Sequence, residues 1–478
     1  VGSEMCIRDR YDTGWTVEIR LPIQSIYFNS KIDQWGFNVE RRIQRNQETI
    51  RWANVQRDQF FGQTSRAGLL TGLPKFNYGI GLNVRPSLVG SLNKEGAAGS
   101  TDTNFEASLD ASQRLGPNVL ATLTVNTDFA ETEVDTRQTN LTRFPLFFPE
   151  KRTFFLEGSD IFEFGFGTGR STVLPFFSRR IGLFGANQVP VIAGGKVNGR
   201  IGKTAFGGLG IRTNAFDSDG VSYDATSMGV VRVRHNILGE SSIGMISTFG
   251  DPLGREGSWM SGFDFTYQTT RFGGDKNFIA GAWGLYTERA DLTEDRSSFG
   301  FKIDYPNDKW DLSLTYSWIG EQFDPSLGFV PRKGVTNTRV GAIYAPRPKW
   351  PWVRQMFHQF FLTYIKNIQG DWQSYSVFTA PVNWRLESGD RIEMNVRPAG
   401  ENIAEPFEIA DGVIIPVGEY NFMRYRLEAE FAAKRRLNGQ ATWWFGSFYD
   451  GTLDEFQLRF NWNPTSLMGF EFSGQRNV

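Results

Sequence analysis

The sequence predicts an all-β protein dominated by a large antiparallel, up-and-down transmembrane β-barrel of about nineteen strands, preceded by the last strands of a β-sandwich. Three observations carry this expectation. The first is alternation: in 310-WDLSLTYSW-318, Trp310, Leu312, Leu314, Tyr316 and Trp318 share one face, and Asp311, Ser313, Thr315 and Ser317 share the other. Strand steps of ~3.3 Å, tilted by about 40°, separate the two tryptophans by roughly 20 Å, close to the ~25 Å apolar band of a membrane barrel. The second is composition. Phe 42, Trp 14, Tyr 14 and Gly 52 favour strands, tight turns and aromatic surfaces, yet no apolar run is long enough for a membrane helix. A helical membrane protein is thereby excluded, whereas barrel strands meet lipid only at every second residue and leave no hydropathy peak. The third is that short turns and longer loops take turns along the chain, as the two rims of such a barrel require.

In chain order, residues 1–10 (VGSEMCIRDR) read as a translated sequencing adapter and are set aside. They hold the one cysteine, Cys6, so the remainder lacks thiols, which suits an exported protein. The stretches 14-GWTVEIRLPIQSIYF-28 and 35-WGFNVERRIQRNQETIRWA-53 alternate without helical period and are too short to bury a core. Residues 11–57 are therefore expected to be the end of a sandwich, 58–78 a linker, and 79–478 the barrel.

Within the barrel, Phe299, Phe301, Ile303 and Tyr305 should point outward and Lys302 and Asp304 inward. The segments 263-FDFTY-267 and 456-FQLRFNW-462 alternate likewise. In 422-FMRYRLEAEF-431, Arg424, Arg426, Glu428 and Glu430 share a face, which calls for water or counter-charges. With long loops outside, the first strand starts at the periplasmic rim and everything before it is periplasmic. An odd strand count, and an ending at 471-EFSGQRNV-478, predict that a closing strand is missing.

The pieces 14-GWTVEIRLP-22, 35-WGFNVERRI-43, 139-TNLTRFPLFFPEKRTFFLEG-158 and 178-SRRIG-182 resemble a bacterial outer-membrane family, domain of unknown function family 5916. The resemblance implies a family-9-type carbohydrate-binding domain ahead of a long barrel. It also brings a hydrolase label, which rests on the association of such modules with glycosidases.

The loop at 129–189 is the longest connection, and 147-FFPEKRTFFLEGSDIFEFGFG-167 within it is rich in both phenylalanine and charge. Left in water, its phenylalanines would be costly, so the loop is expected to fold inward as a constriction or partial plug. Glu150, Lys151, Arg152, Glu157, Arg179 and Arg180 would then form a lumen network, which either binds a ligand or only shapes the loop.

Other candidates are weaker. Glu150 with Glu157, or Asp128 with Glu131, could supply the two carboxylates of glycoside hydrolysis. Asp128, Glu131, Glu133 and Asp135 could bind calcium, although their spacing matches no known loop. Trp15, Trp35 and Trp52 could stack on sugar rings or serve as core residues. His235 and His358 lie on separate strands with no ligand spacing, and no cofactor motif is present. Lys+Arg 51 against Asp+Glu 52 gives no electrostatic footprint for nucleic acid. The expected partners are outer-membrane lipid and a carbohydrate ligand. The expected function is a barrel that admits or binds a solute, with a glycan hydrolase or a non-conducting scaffold as alternatives.

Overall fold

A computed structural model describes residues 6–478, except 24–25, 27, 29–31, 44, 55, 64–65, 77–78, 95–100, 128–139, 167–171, 185–186, 219, 411 and 466–467. Alternating apolar and polar residues produce nineteen barrel strands, two of them interrupted. The first six are β1 (Leu82–Lys94), β2 (Thr101–Arg114), β3 (Val119–Thr127), β4 (Val191–Ile201), β5 (Thr204–Thr213) and β6 (Ser227–Ile237). Next come β7 (Ser241–Phe249), β8 (Trp259–Phe272), β9 (Lys276–Glu288), β10 (Ser297–Pro306), β11 (Trp310–Ile319) and β12 (Val335–Tyr344). β13 comprises Val353–Met356 and His358–Asn367, and is followed by β14 (Trp372–Leu386), β15 (Arg391–Ile403), β16 (Gly418–Phe431) and β17 (Leu437–Phe448). β18 comprises Gly451–Thr452 and Glu455–Trp462, and β19 is Phe470–Asn477.

Sequence neighbours pair antiparallel, as in Phe299↔Trp318 and Lys302↔Thr315, and the order closes with β19 beside β1. The sheet thus closes within the described residues, although an open end awaiting another strand was expected. Because the strand number is odd, β1 and β19 run in the same direction. Short turns gather at one rim and longer loops at the other. The tight connections at 368–371 and 449–450 are exceptions on the long-loop rim, and the longer one at 345–352 is an exception on the short-turn rim.

The two faces differ as the alternation requires. Phe263, Phe265, Phe299, Phe301, Leu312 and Leu314 are exposed, whereas Met260, Asp264, Ser298, Asp304 and Ser317 are buried inside. Aromatic pairs ring both ends of the outer face. Trp310 stacks on Tyr344 at 4.5 Å and Trp462 on Phe470 at 5.4 Å near the short turns, while Phe299 and Trp318 lie 6.2 Å apart near the long loops.

Before the barrel, the described residues form three separate two-stranded ribbons: Cys6–Tyr11 with Gly14–Ile19, Gln34–Phe37 with Gly68–Thr71, and Glu40–Ile43 with Glu48–Arg51. The stretch read as a linker therefore contributes a strand. This part docks on the short-turn rim. Lys276 pairs with Asp58 at 2.8 Å, Arg354 donates to Gln47 O at 2.7 Å, and Arg114 donates to Ile26 O at 3.2 Å.

At the opposite rim, buried charges lace the loops 250–258, 289–296 and 320–334 together. Arg289 donates to Asp291 at 2.5 Å and Asp324 at 2.8 Å, Lys333 reaches Asp324 at 2.6 Å, and Asp251 accepts from Leu253 N and Arg255 Nε. Burial alone would raise the Asp324 carboxyl, but hydrogen bonds and charge from Lys333 and Arg289 outweigh it and hold the group down at about 2. Asp251 is lowered in the same way, with burial opposed chiefly by Arg255 and Ser326.

A carboxylate depressed on folding contributes stability above its unfolded pKa and loses it as pH falls through the folded value. For Asp324 that interval runs from about 4 down to about 2. Protection factors for hydrogen exchange across 250–258 and 320–334, corrected for the intrinsic pH dependence of exchange, are expected to fall over this interval while those of the barrel strands hold. Unchanged loop protection at the acid end would show that the network does not hold the loops.

Candidate functional site in the barrel lumen

The described part of the long connection between β3 and β4, residues 140–166 and 172–184, packs on the inner face. A short helix at Thr153–Leu156 and a 3₁₀ turn at Ser159–Phe162 bury Phe154, Phe155 and Phe162. With Phe164, Val173 and Ile181 these join one core with Leu209, Ile211, Met228, Val230, Ile246 and further inward residues as far as Ile365 on β13. Each such phenylalanine is worth about 1.5–3 kcal/mol on burial. Glycines make room: a Cβ on Gly207 would lie 2.8 Å from Ile161 and 3.1 Å from Phe162.

Three wall residues hold the segment by its backbone. Lys196 on β4 donates to Phe154 O and Glu157 O, both at 2.5 Å. Arg232 on β6 donates to Glu163 O at 3.0 Å and makes a two-pronged pair with Asp264 on β8 at 2.5 and 2.9 Å. Asp264 in turn accepts from Gly165 N at 3.2 Å. Of the three, Asp264 lies in a segment, 263-FDFTY-267, whose alternation assigns it to the inward face. Lys196 and Arg232 carried the same signal, a charge on the inward face of an apolar strand.

The expected lumen network is brought together only in part. Glu150 takes the Arg152 side chain at 2.7 and 2.6 Å, the Ser178 hydroxyl at 2.6 Å, and the N–H groups of Lys151 and Arg152. Arg152 also donates to Ile181 O at 2.6 Å and Ser178 O at 2.8 Å, while its guanidinium lies over Phe155 at 4.1 Å. The FFPEKR and SRRIG strings are therefore two sides of one knot. Burial would raise Glu150, but Arg152 prevails and lowers it. Arg179 and Arg180 donate to the carbonyls of Pro149 and Gly328, at 3.1 and 2.9 Å, rather than to a carboxylate of the network.

Glu157 is exposed and lines a separate cavity of about 120 Å³ with Asn83, Arg85, Asp110 and Thr122. With Glu150 occupied by the knot, the pair does not form a shared acid–base site. Asp128, Glu131, Glu133 and Asp135 lie outside the described residues. The three tryptophans have separate ring partners. Trp15 lies under Arg41, Trp35 sits among Phe28 and Phe76, and Trp52 packs edge-on against Phe37. His235 bonds Thr204 at 2.8 Å and His358 lies against Tyr344.

Elsewhere the inner wall is polar. Arg391 and Arg426 join Glu393, Glu428 and Glu430, so the counter-charges that β16 needs come largely from β15 beside it. Further round, both faces of β19 are exposed, with Phe470 and Phe472 outside and Glu471, Ser473 and Gln475 inside. The inner segment thus fills the lumen against β5–β13 and leaves a water-accessible sector beside β18, β19 and β1.

Residues 80–196 match the family described as Domain of unknown function (DUF5916), in agreement with the resemblance seen in the sequence. No curated protein and no solved structure matches the chain.

Removing Asp264 would strand a buried guanidinium, so Asp264→Ala is expected to cost about 3–5 kcal/mol in urea unfolding and to expose Lys151 and Arg179 to trypsin. The paired change Arg232→Met with Asp264→Leu should recover most of that loss. Equal damage from the single and double variants would contradict the role given to this pair.

Proposed function

We propose that the protein is an outer-membrane β-barrel that admits or binds a solute, a saccharide among the candidates, with its N-terminal part on the periplasmic side. One observation carries the reading: a single closed sheet keeps an apolar face exposed outside and a polar, water-accessible face inside. Phe263 is 67% exposed and Leu88 77%, and aromatic pairs border the outer band at both ends. An apolar belt of that extent is a liability in water and a requirement in hydrocarbon. The docking of Ile26, Gln47 and Arg66 on the short-turn rim agrees with a periplasmic placement, because long loops belong outside.

The inner segment favours a second reading, a barrel that conducts nothing and serves as a scaffold. The exposed inner faces of β18 and β19 favour passage instead. The hydrolase reading gains nothing from Glu150, whose oxygens are occupied by Arg152 and Ser178.

Two measurements test the proposal. Leu314→Arg places a charge within the outer band and should cost about 2–4 kcal/mol when unfolding is followed in lipid vesicles. A surface facing water would accept it within ~0.5 kcal/mol. Vesicles carrying the protein should also swell in isotonic monosaccharide faster than empty ones. Swelling no faster than in empty vesicles would leave the scaffold.

A further inference from the structure

A cavity of about 390 Å³ lies where the inner segment, the loop 320–334 and the wall of β12–β16 meet. Its floor carries Arg339 on β12 and Arg397 on β15, and Arg332 of the loop closes one side. The carboxylate that lines it, Glu401, already faces Arg143 of the inner segment at 3.8 Å. Among the described residues Arg332 and Arg397 make no ion pair. They are instead aimed by serines, with Arg332 donating to Ser374 at 2.6 Å and Arg397 to Ser376 at 2.9 Å. Arg332 is further fixed by lying 3.6 Å above the Phe144 ring. Burial pushes the Arg332 guanidinium down to about 10 against the pull of Glu401, with Arg143 and Arg339 adding repulsion.

Among the described residues, the guanidiniums of Arg332 and Arg397 stand beside one carboxylate that Arg143 already engages, which leaves an excess of positive charge in the cavity. Elsewhere in this lumen the balance is different: Arg391 and Arg426 are matched by Glu393, Glu428 and Glu430. Guanidinium forks suit carboxylate and phosphate oxygens, and a fork held by a neighbouring hydroxyl loses little freedom on binding. Thr363, Ser374 and Ser376 add hydroxyls, while Phe144 and Phe422 add apolar walls. The volume falls within the range of small-molecule sites, about 300–1,000 Å³.

We propose that this cavity is a binding site for a small organic anion, a carboxylate or phosphate group carried on a body of about monosaccharide size, held by Arg332 and Arg397. The proposal deepens the solute-binding reading above and rests on it for the access of solute to the lumen.

Binding is measured on the intact chain in detergent micelles by calorimetry, with glucuronate, a hexose phosphate and neutral glucose as probes. Both anions should bind at least ten-fold more tightly than glucose. R332Q and R397Q should each weaken them about ten-fold, whereas Arg397→Lys should retain part of the affinity and R459Q, on β18, should leave it unchanged. Circular dichroism and heat-dependent gel mobility identify any variant that fails to fold. In that case the wild-type preference itself decides, together with its weakening by added chloride. Equal binding of glucose and glucuronate, or full affinity in folded R332Q and R397Q, would overturn the site. Anion binding without vesicle swelling would keep the site and remove passage through the barrel. Swelling without anion preference would do the reverse.

Discussion

A closed hydrogen-bonded sheet gives every side chain one of two destinations, and in this chain that constraint decides nearly everything else. Every strand of the ring has a hydrogen-bonded neighbour on each side, so no long edge is left to template another chain. What remains to be settled is what meets the side chains on each face. Outside, Leu312 and Leu314 alternate with residues turned away from them, and inside, the same strand presents Asp311, Ser313 and Ser317. The interior is confined, so each inward residue needs a partner within it. From β5 to β13 the inward set mixes apolar residues such as Leu209, Met228 and Ile246, on which the inner segment packs, with polar ones such as Arg232, Asp264 and Ser317. On β15 and β16 it is charged and pairs laterally.

The mixture of phenylalanine and charge in the inner segment follows from hydrogen-bond accounting. A chain lying inside a barrel without being one of its strands still carries an N–H and a C=O at every residue, and leaving them unpaired is costly. Lys196 serves Phe154 O and Glu157 O, Arg232 serves Glu163 O, Arg152 serves Ile181 O and Ser178 O, and Asp264 serves Gly165 N. At the outer end the segment pairs as a strand would, with Leu174 and Phe329 exchanging both bonds at 2.9 and 2.8 Å. The phenylalanines supply burial and the ions supply backbone partners. Neither alone would hold a segment of this length in place.

Parity made the barrel legible from the residues alone. Strand positions, the two rims and the outward set around Phe263, Phe299 and Leu314 could be assigned because side-chain direction in a strand has a period of two. The inward course of the long loop could be argued from its phenylalanines. Its partners could not, because pairings such as Lys196 with Phe154 O, or Leu174 with Phe329, depend on how the ring curves and on which loop leans inward. Arg332 and Arg397 are separated by many residues in sequence and by three strands in the sheet, so no local pattern joins them. The N-terminal ribbons were legible as strands but not in their pairing. Gln34–Phe37 takes Gly68–Thr71 as its partner across more than thirty residues.

The knot changes what the recognisable string can signify. Glu150 and Arg152 first read as candidate chemistry, since acids and bases in an aromatic setting are what active sites are made of. In place, the Glu150 carboxylate is occupied by Arg152 and Ser178, and Arg152 spends its donors on Glu150 and two carbonyls. A group so engaged is poorly placed to exchange a proton with a solute, but well placed to fix the course of the chain from Pro149 to Ile181. The family match, residues 80–196, contains this knot and most of β1–β4, whereas Arg332, Arg339 and Arg397 lie beyond it. The match therefore speaks to how the interior segment is held. Of the cavity lining the match reaches only Phe144 and Pro145, and the arginines lie outside it.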